Sequence, residues 1–394
     1  MNGAAIRSEL YRLPPAQSHS HAELEARLAR IREGMSQDGL DAIVLSDKKN
    51  IEYVTDLQTL SWAYKARPMF VLITDTVLIL IGGAPERRNI ERAARIFDPR
   101  YYSGYLPEAV DLLAAALREQ AANLRIGLDY GQDMFGRGSL ELIAAMNSLS
   151  THPVTSCATT LWKVRLVKSQ AEIERKRIAF DIVNRAFDEI IALAHLGMPE
   201  FELCQMMQAQ IYASGDESAD PIAMVFGQGD FAYCRPPSTR RLEIGDYIWT
   251  DFRATYGGYP ADRNRIARAG RAEPWEIDLY GSMREMTIAL ANSIRPGMTC
   301  AQVYREFERL HEGSNRSFYG AVSRIGHGGG LDITEPPSIS PSDETVIQAG
   351  MILHLEPKVE ERGAVFQFEE VVAVGPAGVE FISALSPPNL PIVL

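Results

Sequence analysis

The sequence predicts an α/β domain followed by a larger α+β domain that contains an internal duplication. Three observations carry this. Short apolar strands alternate with amphipathic helices over about the first 160 residues. A charged, capped helix then opens at Ser169. The remainder repeats a pattern of glycine turn, strand and carboxylate.

In chain order, residues 22–39 space leucine, alanine and isoleucine as an amphipathic helix, and 42–45 form a short apolar strand. Residues 69–73 and 77–81 are two further strands joined by a turn, and 126–129 is another. Helices are expected at 86–94 and 108–124. No GxGxxG or GxxxxGK[ST] follows any of these strands, so they carry no nucleotide-loop signature. After Cys157 comes a basic, polar stretch at 163–168. Ser169 with Glu172 three residues later then forms a capping box. The domains are therefore placed at 1–162 and 163–394. In the second, Gly197-Met198 and Gly297-Met298 are 100 residues apart. Each pair follows a long helix (173–193 and 275–294) and precedes another, which reads as a duplication.

Composition excludes several classes. Forty Lys+Arg against 51 Asp+Glu leave a net charge of −11, against nucleic acid or an anionic membrane as partner. The strongest apolar run, 69–83, is too short to span a bilayer. The N-terminal segment lacks the apolar core of an export signal, and its His19 and His21 read as inert residues of a polar tail. Cys157, Cys204, Cys234 and Cys300 form no CxxC pair, which suits reduced thiols in a cytoplasm. Cys204 and Cys300 read as core thiols.

The duplication reaches into the chemistry. Gly245 leads through a strand to Asp251, and Gly350 leads likewise to Glu356, each six residues on. A second carboxylate follows across a turn in each half, Asp262 eleven residues after Asp251 and Glu369 thirteen after Glu356. Two such hairpins would gather four carboxylates around one point. Four buried like charges are untenable alone, and a pair of divalent cations would compensate them. His327, within RIGHGGG, is the imidazole candidate. Mn²⁺ suits this oxygen-rich set first, with Zn²⁺, Co²⁺ or Fe²⁺ also compatible. Two metals would bridge a water and lower its pKa for attack on a carbonyl.

At these residues the chain resembles the creatinase, aminopeptidase P and prolidase family, whose catalytic domain has the pita-bread fold. The resemblance rests on TDFRATYGGYPADRNR, IGHGGGLD, ILHLEPK and FQFEEVV, with VRLVKSQAEIERKR at the domain entry and NIEYVTDL in the N-terminal part. It implies a creatinase-like α/β N-terminal domain and assigns the five metal ligands to Asp251, Asp262, His327, Glu356 and Glu369. Departures follow from the same comparison. Cys234, Ser323 and Thr334 stand where histidines are usual in the proline-cleaving enzymes, and Gln367 replaces an arginine. Cys234, Thr334 and Gln367 are thus pocket candidates, and ordinary Xaa-Pro peptidase activity is in doubt. His354 shares a strand face with Glu356, as a proton donor or as a partner that orients a ligand. The resemblance also implies a homodimer whose partner offers a loop to the site, here WAYKAR with Trp62, Tyr64 and Arg67.

The function expected is hydrolysis of an amide or related C–N bond in a small molecule or dipeptide by a metal-bridging hydroxide, with Glu356 and His354 handling protons. The alternatives are a metal-dependent lyase of the same superfamily, an Xaa-Pro aminopeptidase or dipeptidase, and a non-catalytic binding module.

Overall fold

The computed structural model describes residues 13–131, 134–135, 139–218, 220–228, 235–312 and 324–394. They divide into two compact units. One is Ser18–Arg165; the other joins residues 13–17 to the described part of Leu166–Leu394.

In the first unit six strands form one sheet in the order β4-β3-β2-β1-β5-β8. They are β1 (Ala42–Leu45), β2 (Phe70–Thr74), β3 (Leu78–Gly83), β4 (Asp98–Tyr102), β5 (Ile126–Leu128) and β8 (Thr155–Ser156); a small pair, β6 (Tyr130–Gly131) and β7 (Met134–Phe135), lies apart. The central strands are buried on both faces, so they read as continuous apolar runs rather than alternating ones. Helices α1 (His21–Asp38), α2 (Lys48–Thr55), α3 (Arg87–Ala93), α4 (Leu106–Arg118), α5 (Leu140–Ser148) and α6 (Ala158–Arg165) complete the unit. Val110, Leu113 and Leu117 of α4 pack on Val44, Leu72 and Ile79 of the sheet.

Several expectations shift. Helix α4 stops at Arg118, six residues short of the expected end, and Asn123 further on takes a left-handed φ of 61°. Strand β4 escaped notice because its sequence, DPRYY, has no apolar alternation and carries a proline suited to an edge. The basic stretch at Lys163–Arg165 is the last turn of α6, where cations suit the helix C-terminus and Val164 is buried. His19 is not part of an inert tail: it is buried, its amide donates to Asp56 Oδ2 at 2.9 Å, and Arg27 Nη2 lies 3.1 Å from its Nε2.

The second unit begins with α7 (Gln170–Ile191), whose Ser169–Glu172 capping box forms as expected. Helices α8 (Glu200–Ala213), α9 (Pro274–Ser293) and α10 (Cys300–Glu312) follow. Strands β9 (Ala223–Gly227), β10 (Tyr247–Tyr256) and β11 (Tyr259–Ala269) form a sheet with β19 (Ile392–Val393) at its edge. A second sheet has the order β13-β12-β14-β17-β18, from β12 (Gly326–Gly328), β13 (Glu335–Ser338), β14 (Ile352–Leu355), β17 (Glu370–Val374) and β18 (Val379–Phe381). Between β14 and β17 a hairpin of β15 (Lys358–Glu361) and β16 (Ala364–Gln367) projects separately.

The duplication is visible in the backbone hydrogen bonds. Gly197 N donates to Leu242 O and Leu242 N to Met198 O; Gly297 N donates to Ile347 O and Ile347 N to Met298 O. Gly245 and Gly350 both take φ near +100° (104° and 92°), and their amides reach Ala269 O and Val374 O. Cys204 and Cys300 are both buried in apolar cores, Cys204 in one that also takes in Ile352 and Val371 of the second sheet and Cys300 in another.

Candidate metal centre

The long β10–β11 hairpin sets the first two carboxylates. Its register pairs Asp251 with Asn264 and Arg253 with Asp262. Paired residues share a face, as do residues two apart, so all four side chains lie on one face of the sheet. In the other sheet His327 of β12 is paired with His354 of β14. A Cβ on Gly326 would collide with the backbone carbonyl of His354, so only glycine lets β12 approach this closely. The last pair of β14 and β17 is Leu355 with Glu370, which makes Glu356 and Glu369 the next residue on each strand. These two carboxylates therefore stand at the base of the β15–β16 hairpin rather than within it.

The side chains converge. One ligand atom from each of Asp262, His327, His354 and Glu369 lies within 4.8 Å of the others, and all four residues are buried. His327 Nδ1 is 2.8 Å from Gly328 O, so it donates there and leaves the Nε2 lone pair facing the cluster. That Nε2 is 3.8 Å from Asp262 Oδ2 and 3.7 Å from Glu356 Oε1. His354 Nδ1 is 2.7 Å from Glu369 Oε1, and its ring stacks on His327 with centroids 4.7 Å apart and planes at 17°.

Electrostatics show what this arrangement lacks. Burial first, and the Asp251 charge second, push the Asp262 carboxyl well above the usual range. Burial and then Asp262 do the same to Glu369. Burial also raises Asp251, opposed by Arg253, and lowers His327, opposed by Glu356. Asp262 Oδ1 is buried with no hydrogen-bond partner among the described residues. Distances of 3.7–3.8 Å exceed a hydrogen bond. They suit donors that share an ion at roughly 2.0–2.2 Å each. The donor set fits a divalent cation.

The remaining candidates are placed as follows. Gln367 Nε2 donates to Glu356 Oε2 at 2.9 Å and its Oε1 accepts from Trp249 Nε1 at 3.2 Å. Thr334 is exposed in the bend before β13. Cys234 and Ser323 lie outside the described residues. Trp62, Tyr64 and Arg67 belong to the first unit, where with Ser46, Ser61 and Lys65 they line a cavity of about 490 Å³. Trp62 is buried, while Tyr64 and Arg67 are exposed. Three cations were missed. Arg253 pairs with Asp262 in register, Lys358 Nζ is 3.7 Å from Glu356 Oε2, and Lys176 is fully buried on α7. The signal was present: Arg253 and Lys358 each follow a candidate carboxylate by two residues on a strand, and Lys176 falls in the apolar stripe of its helix.

The sequence pattern of Metallopeptidase family M24 matches residues 174–376, the part of the chain that builds this centre. The chain belongs to metallopeptidase family M24. Creatinase/Prolidase N-terminal domain matches residues 27–167 of the same M24 chain. The Xaa-Pro dipeptidase of Pyrococcus horikoshii is 22% identical over 343 residues, covering 85% of this chain and 90% of that protein. The structure of an Xaa-Pro dipeptidase from Bacillus anthracis superposes with a TM-score of 0.82 at 22% identity, covering 94% of this chain and all of that one. The N-terminal domain of FACT complex subunit SPT16 from chickpea shares the fold too, with a TM-score of 0.73 at 14% identity and coverage of 95% and 99%. The pita-bread expectation is thus borne out, and family membership makes this an M24 metallohydrolase and implies divalent metal ions. Among the described residues, no helix is long and apolar enough to cross a membrane.

Proposed function

We propose that this M24 chain is a dinuclear-metal-dependent hydrolase that cleaves an amide or related C–N bond in a small molecule or dipeptide. The observation that carries the reading is the buried convergence of Asp262, His327 and Glu369, with an unpartnered Asp262 oxygen at its centre. Asp251, Asp262, His327, Glu356 and Glu369 would hold the two ions, with Mn²⁺ favoured by the oxygen-rich set. When bound, divalent ions neutralise the carboxylates, polarise a carbonyl and make a nucleophile available near neutral pH.

The chain's own residues supply the rest. Glu356 has one oxygen held by Gln367 and the other turned toward His327. A carboxylate fixed by a neutral amide at one oxygen suits transfer of a proton to the leaving nitrogen. His354 has Nδ1 committed to Glu369, which favours its role as an orienting partner over that of a proton donor to substrate. The named relatives make Xaa-Pro dipeptides the first substrates to assay. Gln367, in place of the arginine the resemblance leads one to expect, is the reason to include other amides. The reading extends to a cytoplasmic homodimer, the compartment supported by the cysteine pattern and the dimer by the resemblance alone.

The test combines metal analysis with a screen of dipeptides, amides and betaine-like metabolites. Asp262→Ala and Glu369→Ala should each lower bound metal and abolish turnover. Full activity in both variants would sink the mechanism. A product with a new double bond and no water incorporated would reassign the chain as a lyase. Negligible metal with stability indifferent to chelation would turn the reading to a binding module.

A further inference from the structure

Two fully buried polar groups near the centre are left unused by the chemistry above. His354 Nε2 and Lys176 Nζ are both buried and have no hydrogen-bond partner among the described residues. Both face one small space beside Gly329. A Cβ placed on that glycine would lie 2.6 Å from His354 Nε2 and 2.9 Å from Lys176 Nζ. The missing side chain is what leaves room for them. The other lysine of this region is already engaged, since Lys168 Nζ lies 3.0 Å from Glu335 Oε2.

The arrangement is directional. When Glu369 is ionised, as a metal ligand must be, its Oε1 can only accept, so His354 Nδ1 carries the proton toward it. Nε2 is then an acceptor, and an ammonium has only donors. An acceptor and a donor, each dehydrated and each facing the same point, call for a link between them. The helix supports the lysine from behind. Lys176 lies in the buried stripe of α7 with Ile173, Ala179, Phe180 and Val183, and its Nζ is 5.7 Å from the Phe180 ring centroid. That ring in turn lies 5.9 Å from the His354 ring.

We propose that Lys176 is a positioning residue for the metal centre: its ammonium reaches His354 Nε2 across one bridging water and so holds the imidazole with Nδ1–H on Glu369. The chain of contacts runs from α7 through His354 to a carboxylate of the metal set, and so fixes which oxygen of Glu369 is left for the ion. The proposal rests on the metal-centre reading, and the two fail differently.

The direction of one measurement separates a link from a bare charge. A buried cation acting only through space repels a divalent ion, so its removal would tighten metal binding. A link that orients Glu369 predicts the opposite. Calorimetric titration of Mn²⁺ into the metal-free full chain should show about a tenfold weaker affinity in Lys176→Met. Lys176→Gln, which keeps an N–H donor without the charge, should remain close to wild type. In a His354→Phe background Lys176→Met should have no further effect. Equal or tighter binding in Lys176→Met would overturn the proposal, as would an undiminished effect without His354.

A second readout needs no variant at position 176. Nitrogen-15 spectra of histidine-labelled wild type in excess diamagnetic Zn²⁺, which keeps Glu369 ionised, with His354 assigned by His354→Phe, should show His354 protonated at Nδ1. A proton on Nε2 would refute the link even if Lys176→Met does not fold. Wild type that binds no Mn²⁺ while His354 keeps this tautomer would reject the metal centre and leave the positioning contact standing.

Discussion

Asp262→Asn should change protein stability in opposite directions with and without metal. The residue is 7% exposed, its Oδ1 has no hydrogen-bond partner among the described residues, and its neighbour Asp251 carries like charge. Its carboxyl holds a proton more tightly in the folded state than in the unfolded chain. The folded state is therefore penalised increasingly as pH rises from the unfolded pKa toward that raised value, and the penalty vanishes only below the unfolded pKa, where both states are protonated. Asparagine keeps the shape and removes the charge. In chelator at about pH 8 the variant should be more stable by about 2 kcal/mol, the modest end of the penalty for a buried ion. For a unit of this size that corresponds to a melting temperature roughly 4–8 °C higher. A divalent ion at a hundred times its Kd would stabilise wild type by about 2.7 kcal/mol. The variant, having lost a ligand, should gain little. Calorimetry in chelator and in excess Mn²⁺ should therefore show the order of melting inverted. Because the two units need not unfold together, hydrogen exchange of β10 and β11 peptides reports the right transition. A variant that melts lower than wild type in chelator, or that gains as much from metal, refutes the reasoning.

Two other substitutions probe separate parts of the argument. Burial raises Glu52 on α2 from an ordinary 4.5 to about 7, against Lys48 Nζ 3.7 Å away. Its contribution is fully present below the unfolded pKa and is lost as pH rises through about 7, so Glu52→Gln should stabilise the N-terminal unit by about 3 kcal/mol at roughly pH 8. The gain should shrink toward zero near pH 5, and urea melts with the same gain at both pH values would refute the assignment. Gln367→Leu removes the donor to Glu356 while keeping the volume. It should lower kcat by roughly ten- to a hundredfold, the range for a hydrogen bond to a charged group, with bound metal unchanged. Metal lost in proportion to activity would mean that Gln367 acts by holding the centre together.

Where the sequence was legible, one local rule sufficed. Ser169 and Glu172 needed only the capping pattern, and the apolar strands β1, β2 and β3 only their continuous burial. The carboxylates were legible because a hairpin turn and a period of two bring them to one face without reference to the rest of the fold. What could not be read depends on partners distant in sequence. Lys176 and His354 come from elements 178 residues apart by number, and nothing local announces that both face Gly329. The same holds for Gln367, whose amide is divided between Trp249 and Glu356. His19 looked like tail because its partners, Asp56 and Arg27, come from other segments.

The duplication itself explains why the two carboxylate pairs have unequal spacing. The backbone bonds equate Leu242 with Ile347, Gly245 with Gly350 and Ala269 with Val374, a constant offset. That offset equates Asp251 with Glu356 and Arg253 with Lys358. It does not equate Asp262 with Glu369. Asp262 corresponds to Gln367, and Asn264 to Glu369. The registers agree, since Arg253 pairs with Asp262 and Lys358 with Gln367. Each half thus presents a carboxylate, then a cation two residues on, facing a second strand that carries one acid and one amide in opposite order. The eleven- and thirteen-residue spacings follow directly. The reversal also makes the halves chemically unlike. Asp262 stands beside Asp251 and both are raised by burial, so the first half requires an external cation. In the second half the corresponding place holds Gln367, which donates to Glu356 instead of repelling it. One duplicated frame therefore supplies carboxylates raised by burial from both halves, Asp251 and Asp262 from the first and Glu369 from the second, while only Glu356 receives an amide from its opposite strand. That amide is the reason we propose the shuttle at Glu356 rather than at Asp251.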